Sequence, residues 1–140
     1  MTDILGLRPY RVLSHFVIVQ VGETSLDYLP AEDDVASRHF AFLVSEEEFD
    51  EIFARIKARG IAYWADPFHR EPDSINHWDD GRGLYFDDPD GHLLEILTRP
   101  YGSGGLEAEH PNPLLGRAAN GGWHETRVPR AHPAPLRPHR

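Results

Sequence analysis

Glu95 and His39 are the residues whose types and settings suit chemistry best, and they lie 56 positions apart. Glu95 sits in "YFDDPDGHLLEIL", residues 85–97, where a DPDG turn leads into an apolar run holding a single carboxylate. In a strand, alternation puts Leu93, Glu95 and Leu97 on one face and His92, Leu94 and Ile96 on the other. A buried carboxylate is costly without a cation or metal beside it. The other reading is an edge strand with Glu95 in water. His39, in "RHFAFLVS", residues 38–45, shares a face with Ala41 and Leu43. It is either a satisfied core histidine or a ligand. Were the two side chains to meet in one concavity, they would supply two of the three ligands of a non-haem facial triad.

Composition narrows the chemistry. The chain has no cysteine, so it has no disulfide, thiolate nucleophile or Cys-based metal site. A metal would need His and carboxylate ligands, which suit iron, manganese, zinc or nickel. The net charge of −9 argues against nucleic acid, which is bound largely through basic patches. Neither a membrane-length apolar run nor a signal-peptide pattern is seen, so a cytoplasmic protein without membrane partners is expected. Residues 1–101 hold 9 Lys and Arg against 20 Asp and Glu, whereas residues 102–140 hold 5 against 3. The latter stretch is rich in Gly and Pro and lacks periodicity, so it is expected to be a flexible tail. Its histidines, His110, His124, His132 and His139, read as incidental.

The elements that would position the pair follow from local pattern. "FVIVQVG" and "TSLDYLP" form a hairpin turning at Gly22-Glu23. Ser45 and Glu48 make a capping box for a helix over residues 45–60, with Phe49, Ile52, Phe53 and Ile56 as its apolar stripe and Gly60 after its end. "IAYWADP", "GLYF" and "HLLEILT" are three further strands, separated by a polar loop at 68–82 and the DPDG turn. From residue 38 the order is strand, helix, strand, strand, strand. Residues 1–37 look like the same unit with its front removed, an internal repeat of element order.

This order, with "DPDGHLLEI" and "RHFAFLV", resembles the vicinal oxygen chelate superfamily of glyoxalases, bleomycin-resistance proteins and extradiol dioxygenases. The resemblance covers roughly residues 4–101. It implies an α+β fold of paired βαβββ modules around a metal cavity, with a truncated first module at 1–37, a complete one at 38–101 and a tail at 102–140. It also implies a metal held by Glu95 and His39, with Fe2+ or Mn2+ favoured over Zn2+ or Ni2+, acting on a small molecule with vicinal oxygens. The stretch "SINHWDDGRGLYFDDPDGHLLE" resembles extradiol dioxygenases in particular. By that likeness His77 acts as acid/base and Tyr85 holds a catecholic substrate, although Ser74 replaces the family's frequent glycine. On their own, His77 reads equally as a loop residue and Tyr85 as a core aromatic. Arg82 and Arg99 would complement an anionic substrate or pair with surface acids.

The resemblance breaks at the front. The first module's opening strand, which normally carries the first histidine ligand, has no counterpart; a strand and most of a helix amount to about 25 residues. His15 lies at a later strand and does not inherit that role, while Asp27 stands where glyoxalase-like members place a carboxylate ligand. Three expectations compete: a start upstream of Met1, a shortened member whose homodimer partner covers the exposed sheet, or a metal-free protein. Two functions follow, a metal enzyme of extradiol type and a metal-free small-molecule binder, with an inactive truncated member as the third outcome.

Overall fold

Ser45 opens the one long helix among the described residues because its side chain and that of Glu48 satisfy each other's backbone donors. The Glu48 N–H donates to Ser45 Oγ at 3.1 Å and the Ser45 N–H to Glu48 Oε2 at 2.8 Å. The helix, α2, runs Glu46–Ala58 and ends before Gly60, which takes the left-handed conformation. Its stripe of Phe49, Ile52 and Ile56 is buried, each side chain contributing about 1.5–3 kcal/mol.

The computed structural model describes residues 1–115; His124, His132 and His139 lie outside them. Before α2 come α1 (Thr2–Leu5), β1 (Arg11–Leu13), β2 (Phe16–Val21), β3 (Thr24–Tyr28) and β4 (His39–Leu43). After it come β5 (Tyr63–Trp64), β6 (Gly83–Asp87) and β7 (Leu93–Leu97). The first three strands form an antiparallel sheet in the order β1-β2-β3, and the rest a four-stranded sheet in the order β4-β7-β6-β5. The fold is thus α+β, with one full βαβββ order from β4 to β7 and a partial one before it.

Helix α2 covers one face of the four-stranded sheet. Leu84 and Phe86 of β6 and Leu94 and Ile96 of β7 meet its stripe, and Ile4 and Leu5 of α1 close the end of this core. Alternation therefore turns His39, Ala41, Leu43, Trp64, Tyr85, Asp87, Leu93, Glu95 and Leu97 to the opposite face. Among the described residues, the three-stranded sheet has no long helix across it. It touches the N-terminal segment through Tyr28, whose hydroxyl meets Met1 Sδ at 3.6 Å, and it leaves Val12 and Leu13 exposed.

Residues 102–115, expected from the sequence to be part of a flexible tail, are instead held against the body of the fold. They lie against the loop before β6, held by two aspartates that composition alone does not single out. Asp79 Oδ2 accepts the Gly102 N–H at 2.9 Å, and the Asp79 N–H donates to the His110 carbonyl at 2.7 Å. Asp80 Oδ1 accepts the His110 N–H at 2.8 Å. Gly104 passes so close that a Cβ there would stand 3.0 Å from Asp79 Cα.

Candidate active site

Parallel pairing of β4 with β7 brings His39 and Glu95 together. Ala41 lies opposite Glu95 and His39 opposite Leu93, so the histidine and the glutamate are diagonal neighbours on one face. The DPDG turn sets this register. Asp88 Oδ1 accepts the N–H groups of Asp90 and His92, each at 2.9 Å, while Gly91 takes φ +80. His92, buried on the helix side, then accepts the Arg38 N–H on Nδ1 at 3.1 Å, and the Leu93 N–H donates to the Arg38 carbonyl at 2.8 Å. The turn residues thus clamp the start of β4 beside β7, one residue before His39.

The result is a buried carboxylate with an open neighbour. Glu95 is 1% exposed. Its Oε2 accepts a hydrogen bond from His39 Nε2 at 3.0 Å, and the His39 side chain is 42% exposed. The same Oε2 accepts a second, short hydrogen bond from the Tyr101 hydroxyl. Tyr85, opposite Glu95 on β6, is fully buried, and its ring centroid lies 5.9 Å from that of His39 and 6.2 Å from that of Trp78. The Tyr85 hydroxyl is buried and makes no hydrogen bond among the described residues. Burial first, and then the negative charge of Glu95, push the Tyr85 phenol far above its ordinary value of 10.0. Burial and then the bond to Glu95 do the same to Tyr101. Both phenols remain proton donors across the physiological range.

Other candidates fall elsewhere. Asp27 is exposed on β3, opposite Ile18, in the other sheet. His77 turns to its own loop, its Nδ1–H donating to the Gly81 carbonyl at 3.2 Å and its ring 6.1 Å from that of His110. Arg82 is committed to α2, with Nε and Nη1 each 2.6 Å from Glu46 and Asp50 respectively, so it serves the helix and no substrate. Arg99 lines a small cavity together with Glu95 and Tyr101. Tyr101 is the residue that sequence reasoning missed. It lies six positions past Glu95, at the edge of the stretch dismissed as tail, and its only local signal is an aromatic between Pro100 and Gly102.

An imidazole nitrogen and a carboxylate oxygen are suitable donors for a divalent metal. Among the described residues, however, no third His, Asp or Glu joins them, and Tyr101 already engages Oε2. The described residues supply two donors and fall short of a complete centre.

Comparison with known proteins decides the family. Residues 1–96 match the family described as the Glyoxalase/Bleomycin resistance protein/Dioxygenase superfamily. The chain belongs to it. Among solved structures, "Oxidase ChaP-H2" is 56% identical with a TM-score of 0.71, over 74% of this chain and 83% of that one. The fosfomycin resistance protein FosX from Listeria monocytogenes, in a structure described as complexed with Mn(II) and sulfate, is 24% identical with a TM-score of 0.53. That match covers 74% of this chain and 79% of FosX, and it bears on the fold alone. The glutathione transferase FosA of Serratia marcescens is 34% identical over 67 residues, 48% of this chain. The match spans only 39% of FosA. No helix among the described residues is long and apolar enough to cross a membrane.

Proposed function

We propose that this chain is a small-molecule oxidoreductase whose reacting centre is the Glu95 carboxylate with His39 beside it. The observation that carries this reading is the pair itself: a carboxylate buried to 1% exposure, bonded to a solvent-facing imidazole, on the face of the sheet opposite α2. The 56% identity to an oxidase supports the reaction class.

His39 and Glu95 would hold a divalent metal, Fe2+ or Mn2+ before Zn2+ or Ni2+, given a third donor from outside the described residues. Such a metal supplies Lewis acidity that orients and polarises vicinal oxygens. Without a metal, Glu95 Oε2 accepts hydrogen bonds from His39 Nε2–H and the Tyr101 hydroxyl, and Tyr85 presents a further hydroxyl beside it; with a metal bound, His39 Nε2 would give up its proton and ligate in place of that bond. Extradiol cleavage of a catechol is the narrower form of this proposal. For His77 to act as acid/base in it, the ring would have to leave Gly81 for the pair, whereas Tyr85 already stands beside Glu95. A homodimer would cover the exposed Val12 and Leu13.

One observation favours a second reading, a metal-free binding protein: Tyr101 engages the oxygen a metal would use. Bound-metal content by elemental analysis, paired with oxygen uptake on catechol, separates the two. About one equivalent of metal, lost in Glu95→Ala and His39→Ala together with oxygen uptake, is the expected result. Ligand binding without oxygen uptake, indifferent to chelators, would establish the binder instead.

A further inference from the structure

We infer that Tyr101 is a tethered competitor for the site, a phenol of the chain's own that a hydroxyl-bearing ligand must displace to reach Glu95. The inference rests on the reading of Glu95 as the centre of the site. Three observations carry it.

The first is space. The cavity that touches Glu95, lined also by Trp78, Asp79, Arg99, Tyr101 and Asn112, has a volume of about 10 Å³. That is the room of roughly one water at most. That cavity admits no substrate with the Tyr101 ring where it is.

The second is an unmet donor. Tyr101 bonds Glu95 Oε2 but leaves the buried Tyr85 hydroxyl, which lies close to both groups, without a well-formed hydrogen bond among the described residues. A poorly paired buried hydroxyl loses part of its hydration without full compensation. A free ligand whose hydroxyl donates to Glu95 and accepts from Tyr85 could meet both with a geometry that the tethered ring does not reach. This defines the ligand class: a molecule presenting one oxygen that is donor and acceptor together, as a phenol or an enol does.

The third is the tether. Tyr101 is 42% exposed and sits between Pro100 and a glycine-rich turn. Gly102 and Gly105 take φ of +75 and +65, and the turn is pinned by Asp79 through the Gly102 and Gly104 N–H groups. The phenol has solvent to move into, and the turn next to it is held by the Asp79 carboxylate, with Asp80 gripping the segment further on at Glu109 and His110. Opening is therefore a local event, drawn from the weakly held part of the structure.

The test uses the full chain and 4-nitrophenol as the probe, with binding followed by equilibrium dialysis. Tyr101→Phe removes the competing hydroxyl and keeps the ring. It is expected to bind the probe about tenfold to a hundredfold more tightly than the wild type, the worth of one hydrogen bond to a charged group. The gain should vanish in Tyr101→Phe/Glu95→Gln. Asp79→Asn, which leaves the phenol but loosens its strap, should shift affinity the same way by less, and it decides the matter if Tyr101→Phe does not fold. Equal or weaker binding by Tyr101→Phe overturns the inference, as does a gain that persists without Glu95 or no binding by any variant. Tighter binding without oxygen uptake on catechol would leave the inference standing and sink the oxidoreductase reading. Oxygen uptake that depends on Glu95, with no tightening, would do the reverse.

Discussion

The two sheets are made of similar alternating strands, yet among the described residues only the four-stranded one has a helix across one face and a hydrogen-bonded polar cluster on the other. In the four-stranded sheet, α2 buries Leu84, Phe86, Leu94 and Ile96 to 2% exposure or less, which leaves the other face free to carry His39, Tyr85 and Glu95. In the three-stranded sheet, Val19 is the one strand residue that is fully buried, and Val12 and Leu13 are 66% and 65% exposed. The lesson is that a polar site on a sheet depends on the helix behind it. Packing on one side fixes the register that holds a carboxylate in place on the other. Asp27, on the other sheet, is exposed and stands in no group of three or more His, Asp or Glu among the described residues.

Substitutions can break this contrast directly. Phe49→Ala removes the aromatic centre of the covered core, and urea denaturation should show a loss of about 3–5 kcal/mol. Val12→Ser on the uncovered sheet should change stability by less than about 0.5 kcal/mol. Comparable losses at both positions would show that the first sheet has a partner not described here.

Asp79→Ala should cost about 1–3 kcal/mol, because it leaves the partly buried Gly102 and Gly104 N–H groups unpaired. Limited proteolysis should then cut near Gly102–Gly105 in the variant before any cut in the β4–β7 module.

The two phenols set an alkaline limit on the same region. Tyr85 and Tyr101 are raised in the folded chain, so each favours the protonated form. Their contribution is fully present below the ordinary value of 10.0 and is lost as pH rises beyond it. Melting temperature should therefore fall above about pH 10, and less steeply in Tyr101→Phe. An unchanged slope would contradict the bond to Glu95. A modest loss is expected of Ser45→Ala, which opens the capping box of α2 at about 1 kcal/mol, read by the same urea titration.

Much of this was legible in the sequence, for reasons particular residues make plain. Ser45, Glu48 and the Phe49-Ile52-Ile56 stripe act locally, and the helix appears where their spacing puts it. The hairpin at Gly22-Glu23 and the alternation through β7 are local as well. The meeting of His39 and Glu95 is not local. It needed the family resemblance to order the strands, and the geometry bears out their proximity. Tyr101 and Asp79 gave no local signal: Tyr101 reaches back to Glu95 across the end of β7, and the partners of Asp79, 23 residues away at Gly102, lie in a Gly-rich stretch whose composition reads as tail. His77 was placed by motif, but a loop in which Asp79 and Asp80 both take positive φ turns it to Gly81 instead.

The most direct test of the central claim is oxygen uptake on catechol by the wild type, Glu95→Gln and Asp27→Asn, measured side by side. The account predicts that Glu95→Gln loses at least about a hundredfold, the scale of one proton-transfer group, while Asp27→Asn keeps wild-type rates. Full activity in Glu95→Gln, or its loss in Asp27→Asn alone, would contradict it and move the working site to the other sheet.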